Sequence, residues 1–152
     1  VTEPSIQQRF FPELTCFGCG PANPRGLRIS SYPDDDGDGT TASFVPWPEH
    51  DNGLGYLNGG IIATLLDCHS ATPVLMESER LGLMQPSDAL AYVTAGIDVR
   101  YLRPTPLEGP LTVRARLASA SEDVMAVDAE IWADGKLRAT GASTWKRWRP
   151  RT

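Results

Sequence analysis

The second half of the chain alternates apolar and polar residues in four long runs. In residues 91–102, Ile97, Val99 and Tyr101 alternate with Asp98 and Arg100. In residues 111–118, Leu111, Val113, Ala115 and Leu117 alternate with Thr112, Arg114 and Arg116. Residues 124–133 and 137–148 continue the pattern. A period of two marks a half-buried strand. Pro104, Pro106, Glu108-Gly109-Pro110 and Ser121-Glu122-Asp123 break the runs, and Asp134-Gly135 has the chemistry of a two-residue hairpin turn. Further upstream, residues 27–29 predict a short strand, the acidic stretch 33–39 a turn, and the β-branched and aromatic residues 40–45 a second strand ended by Pro46-Trp47-Pro48. Helix formers run from residue 60 to about 81, with Pro73 expected to kink or divide the run. Residues 1–25, rich in proline, glycine and aromatics, predict an N-terminal arm, and residues 26–152 a single domain.

The predicted order is therefore β-β-α-β-β-β-β. Strands joined by short turns pair antiparallel, and one long helix can cover one face of such a sheet, an α+β arrangement. A strongly curved antiparallel sheet wrapped around one central helix is the hotdog fold.

On a helical wheel, Ile61, Ile62, Leu65, Leu66, Cys68, Leu75 and Met76 share one broad side. Asp67 points away from it, beside Ala63, Thr64, Ser70 and Ala71. An exposed helix face usually carries Lys, Glu or Arg, which have better helix propensity. A stripe of small residues around one acid fits either plain solvation or the close approach of a backbone or substrate. Gly53, Gly55, Gly59 and Gly60 precede the helix. Glycine at a helix start permits close backbone approach, and the first helical amides lack internal acceptors and suit an anion or a developing oxyanion. Gly59 and Asp67 lie about 12 Å apart along one helix axis, too far to serve one carbonyl together. Two helices packed antiparallel across a two-fold axis would bring one chain's helix start to the other chain's acid. This predicts a homodimer with composite sites, with a dimer of dimers as the next assembly.

Composition narrows the class of function. The net charge is −5, which argues against nucleic acid as the partner. No run of about 18 apolar residues predicts a membrane span, and the opening residues lack the order of a signal peptide. Three cysteines, an odd number, do not suggest a secreted disulfide scaffold, so a cytoplasmic location is expected.

Three segments then carry a resemblance. Cys16-Phe17-Gly18-Cys19-Gly20, continuing to Asn23-Pro24-Arg25-Gly26-Leu27, resembles a CFxCG…NPxGL opening. Asn58-Gly59-Gly60 followed by Asp67 resembles an HGG…D signature. Residues 97–104 resemble a strand ending in a YLRP-like element. Together they are similar to hotdog-fold acyl-CoA thioesterases of the phenylacetate-pathway and 4-hydroxybenzoyl-CoA thioesterase-like superfamily. The resemblance implies hydrolysis of an acyl or aryl thioester to free acid and CoA. It implies a Gly59 amide that polarises the carbonyl, with Gly60 beside it, and Asp67 of the partner chain as general base or nucleophile. Asn52 matches a polar position near the carbonyl, and Thr94 a hydroxyl position that orients water. Asn58 replaces the usual histidine; asparagine can cap a helix but cannot titrate near neutral pH. His50, in the same loop, is a candidate to compensate. Arg100 and Arg103, with Lys146, Arg147 and Arg149, are candidates for the phosphates of the CoA tail.

Other chemistry is weaker. Cys16-x-x-Cys19 has no second pair at zinc spacing, and a structural zinc site usually has four ligands, so no metal is expected and no prosthetic group. Asp34-x-Asp36-x-Asp38-Gly39 matches half of a calcium loop, but its twelfth position is Val45, which favours an acidic hairpin turn. His69 does not share a helix face with Asp67. No GxSxG elbow is present. Two further readings stand beside the hydrolase: a hotdog module that binds acyl thioesters or another apolar ligand without turnover, and a hotdog dehydratase. The dehydratase is disfavoured by the lack of a histidine at the helix start.

Overall fold

The long strands carry the expected alternation, and each hairpin turn places its apolar side on the same face. The computed structural model describes residues 3–149 and 151. Its elements run α1 (Ile6–Phe10), β1 (Ser31–Pro33), β2 (Thr40–Phe44), a 3-10 turn (Pro48–His50), α2 (Gly59–Arg80), β3 (Tyr92–Tyr101), β4 (Leu111–Ala120), β5 (Val124–Ala133) and β6 (Lys136–Arg147). The strands form one antiparallel sheet in the order β1-β2-β4-β5-β6-β3. The central helix α2 packs on this sheet, and this is the hotdog fold. At the β5–β6 turn both Asp134 (φ 52°) and Gly135 (φ 70°) are left-handed, as a two-residue hairpin of the type I′ class requires. The acidic stretch closes the β1–β2 hairpin, with the Asp34 amide donating to the Gly39 carbonyl at 2.9 Å.

Two expectations are corrected, and the arm gains an element. The first strand lies at Ser31–Pro33 rather than at 27–29, since Arg28 sits at φ 50°, outside the extended region. The arm contains a helix, α1. Ser5 caps it and Gln8 reciprocates, a complete capping box, while Ile6 and Phe10 enter the core. Pro73 does not divide α2, which is continuous over 22 residues.

The continuity of α2 has a local cause. Proline has no N–H to give the carbonyl four residues back, here that of His69. The Thr72 hydroxyl lies 2.7 Å from that carbonyl and supplies the missing donor. The same hydroxyl lies 2.8 Å from Thr40 Oγ1 on β2, so it also joins helix to sheet. Thr72→Val is expected to lower unfolding free energy by about 1–3 kcal/mol, the cost of stranding a buried acceptor, as measured by urea denaturation.

The sheet-facing stripe of α2 differs from the wheel prediction for a related reason. It includes His69, Ser70, Thr72 and Pro73 along with Ile62, Leu65 and Leu66. His69 is fully buried, yet its ring is fully partnered. Nδ1 accepts from Ser31 Oγ at 2.8 Å and Nε2–H donates to the Thr40 carbonyl at 3.1 Å. Gln7 of α1 supports Ser31, its Nε2 donating to Ser31 Oγ and its Oε1 accepting from the Ser31 amide, both at 2.9 Å. A buried polar group is tolerated when its hydrogen bonds are met. Hydrophobicity therefore understates how much of this face is core. Cys68, expected on the sheet side, is displaced to the opposite side with Asp67.

Candidate functional site

The loop before α2 is built from two short acceptor turns. Asp51 Oδ1 accepts from the amides of Gly53 (3.0 Å) and Gly55 (2.9 Å), and Asn52 Oδ1 from those of Leu54 (2.8 Å) and Tyr56 (3.3 Å). Gly53 and Gly55 take φ values of 88° and 84°, a left-handed backbone that favours glycine. The loop then enters α2 through Asn58, whose Oδ1 accepts from the amides of Gly60 at 2.8 Å and Ile61 at 3.3 Å. Asn58 is thus the N-cap. Among the described residues the Gly59 amide finds no acceptor, so the first free donor of the helix belongs to Gly59. On the other side of that peptide, Tyr101 Oη of β3 donates to the Gly59 carbonyl at 2.9 Å.

Gly59 and Asn52 line a cavity of about 520 Å³ with Tyr56, Ile62, Tyr101 and Arg103. Arg103 is braced by its contact with the Leu137 carbonyl at 3.2 Å. Asp67 opens into a different cavity, of about 350 Å³, whose walls include Phe11, Leu75, Leu90, Val93 and Trp145. There Thr94 Oγ1 donates to Asp67 Oδ1 at 2.7 Å, leaving the second carboxylate oxygen without a protein donor among the described residues. Thr94 precedes a bulge in β3: it pairs with Trp145, Gly96 pairs with Thr144, and Ala95 is left over. Such an extra residue bends a strand and re-aims its side chains.

The residues named from the sequence therefore fall into two groups within one chain. Asp67 meets Thr94. Gly59, Gly60 and Asn58 meet at the helix start, with Asn52 and Arg103 on the same cavity. Two candidates stand apart. His50 is buried; its Nδ1 accepts from the Trp47 amide at 3.0 Å, and its ring stacks on Trp47 at 4.5 Å. Burial holds its pKa below the ordinary histidine value, and its carbonyl accepts the Asn58 amide at 2.8 Å. His50 thus locks the loop and does not line the cavity. Arg100 is held by Asp98 at 3.0 and 3.2 Å and borders a depression that also carries Asp128 and Glu130, surroundings that oppose phosphate. Of the other cations, Arg147 and Arg149 face Glu122 and Asp123.

Two features escaped the sequence. Tyr101 was visible only as an apolar position of a strand, and its hydroxyl contact joins residues 42 apart. Cys16 and Cys68 lie side by side, with sulfurs 3.7 Å apart across 52 residues, a proximity that no local spacing signals.

Solved structures share this architecture. The chain aligns with a phenylacetic acid degradation-related protein of Ralstonia eutropha JMP134 at 26% identity and a TM-score of 0.66, over 79% of this chain and 85% of that one. A thioesterase superfamily protein of Shewanella loihica PV-4 gives 26% identity and a TM-score of 0.63, over 80% and 91%. A Bacillus halodurans protein solved with CoA shares the fold at 24% identity and a TM-score of 0.64, over 82% and 77%. No curated protein matches the chain. Among the described residues no helix is long and apolar enough to cross a membrane. The thioesterase superfamily profile matches residues 54–140, from the glycine loop through α2 into β6. With more than half of its length matched, and the same fold around it, the chain belongs to the thioesterase superfamily.

Proposed function

We propose that the protein hydrolyses acyl-CoA thioesters at sites shared between two copies of the chain. The observation that carries this reading is the Asp67 carboxylate, fixed by Thr94 on the wall of an apolar cavity. The apolar wall suits an acyl or aryl group, and the polar mouth around Gly59 and Arg103 suits the carbonyl and the phosphates of the CoA arm.

The chemistry divides between the two groups. The Gly59 amide of one chain donates to the thioester oxygen, where charge develops in the tetrahedral transition state. Asn58 leaves that amide free by engaging the next two. As general base, Asp67 of the other chain takes a proton from water as the water oxygen bonds to the carbonyl carbon. The carbon–sulfur bond then breaks and the proton passes to the departing thiolate. As nucleophile, the free Asp67 oxygen bonds to the carbonyl carbon and the carbon–sulfur bond breaks to release the thiolate; water then hydrolyses the anhydride, restoring the carboxylate, and the proton from water goes to the thiolate. Both routes give free acid and CoA, and neither draws on a metal or prosthetic group. Because the histidine of related signatures is Asn58 here, all proton transfer falls to the carboxylate. Two antiparallel copies of α2 would set each acid beside the other chain's helix start, which supports a homodimer as the working unit and leaves a dimer of dimers open to the same contacts.

The test is thiol release from short, medium, long-chain and aromatic acyl-CoAs. Turnover of one class well above the others supports the reading. Tight binding of the same thioesters with no release overturns it in favour of a non-hydrolytic binding module. Thr94→Val removes one hydrogen bond to a charged group, worth about 1.5–3 kcal/mol. It is expected to lower kcat by roughly 10- to 100-fold with little change in KM.

A further inference from the structure

The N-terminal arm crosses α2 at Gly18, beside the face that carries Asp67. A Cβ built on Gly18 would lie 2.3 Å from Cys68 Sγ, so only glycine lets the arm come this close. The contact brings the Cys16-x-x-Cys19 turn onto Cys68. The three sulfurs lie within 4.8 Å of one another, and all three line the cavity that holds Asp67.

We propose that Cys16, Cys19 and Cys68 form a binding site for a thiophilic, tetrahedral cation of the Zn²⁺ class, which clasps the arm to the central helix. Two thiolates each about 2.3 Å from zinc, at a tetrahedral angle, stand about 3.8 Å apart. Cys16 Sγ and Cys68 Sγ are already 3.7 Å apart. Three sulfur donors with no oxygen partner select against hard cations such as Mg²⁺ and Ca²⁺. The turn is held in place by the Gly20 amide on the Cys16 carbonyl at 2.8 Å, and by the Leu27 and Ile29 amides on the Phe17 and Gly18 carbonyls at 2.7 and 3.1 Å.

Metal entry ionises the thiols and releases their protons to solvent, so affinity rises with pH. Three thiolates and one divalent cation leave a net charge of −1, with the fourth position open to a water in the cavity.

This inference does not depend on the hydrolytic reading, and its test does not use turnover. The full-length protein, reduced and stripped of metal, is titrated with Co²⁺ and with Zn²⁺. The expected result is one ion per chain, with thiolate-to-cobalt charge transfer in the near ultraviolet and the intense visible bands of tetrahedral cobalt. Zn²⁺ then displaces the cobalt, and amide exchange of residues 5–20 slows. Cys16→Ser, on the arm, is expected to weaken Co²⁺ binding by more than the roughly 10- to 100-fold that losing a supporting hydrogen bond costs. Cys68→Ser should do the same from the helix side; should it fail to fold, the arm variant carries the test alone. Folded, reduced protein that takes up neither ion overturns the proposal, as does a Cys16→Ser variant that binds like the wild type. A Cys16–Cys68 disulfide found by mass in metal-free protein purified without reductant also overturns it and assigns the pair to a redox clasp.

Discussion

Asp67→Ala is expected to reduce thioester turnover by about 10²- to 10⁴-fold, the range lost with a positioned acid–base group, with circular dichroism unchanged. Asp67→Asn keeps the size of the side chain and an oxygen for the Thr94 hydroxyl, so a matching loss there isolates the proton-accepting or nucleophilic role from packing. A single turnover in ¹⁸O-water tests the nucleophilic role: label retained in Asp67 shows that water opened an anhydride at the carboxylate. The other half of the site can be removed with equal economy. Gly59 is the first residue of α2, and Asn58 before it has φ −59° and ψ 135°. Proline is tolerated at that helical position and requires such an extended residue before it. Gly59→Pro therefore deletes one N–H while keeping the helix start, and should cost about 10²- to 10³-fold in kcat. Mixing the two inactive variants gives the decisive result. If each site takes Asp67 from one chain and Gly59 from the other, random mixed dimers carry one intact site in two. Activity should then return to about a quarter of wild type. No recovery on mixing, with subunit exchange demonstrated, would falsify the shared site.

The second large effect concerns acid stability. Burial lowers the His69 pKa from an ordinary 6.5 to about 4, partly opposed by its hydrogen bond to Thr40. A histidine with a depressed folded pKa binds its proton more readily when unfolded, so stability rises with pH between the two values. The neutral, fully partnered His69 of the native state is at no disadvantage above pH 6.5. As pH falls from there toward 4 the unfolded chain gains protons that the folded one refuses, and up to about 3 kcal/mol of stability is lost. Carboxylates contribute to any acid limb, so the comparison is with His69→Gln, which removes this titration. The variant should be less stable at pH 7, and its deficit should shrink by about 3 kcal/mol by pH 4 in urea denaturation. A deficit constant across that range would show that His69 titrates normally or is already protonated in the fold.

The periodic elements were readable because their burial follows their hydrophobicity. Residues 124–133 were assigned to within a residue because Met125, Val127, Ala129 and Ile131 alternate without exception and all are buried. The helix within the arm was not read from the sequence, although Ser5 and Gln8 carry a capping signature. A five-residue helix is too short for a period, and what holds it is the burial of Ile6 and Phe10. The site was legible in part. The glycine loop and the acid were named from their pattern along the chain and Thr94 from the resemblance, and the fold brings Thr94 to Asp67 beside the bulge at Ala95. His50 and Arg100 stand apart from the two groups because each is engaged by a neighbour, the Trp47 amide and Asp98. His69 was not placed in the core because a polar residue on a core face is invisible to hydropathy until its partners on β1 and β2 are known.

The sheet order has a consequence for synthesis. Among the described strands, β3, which directly follows the helix, pairs only with β6, the furthest along the chain. As the chain leaves the ribosome, β3 must wait through β4 and β5, roughly 2–9 s at about 5–20 residues per second. During that interval the Thr94 wall of the Asp67 cavity has no strand to hold it. The carboxylate and its hydroxyl partner can be assembled only once β6 has emerged, so a nascent chain halted before β6 carries the acid but no formed site.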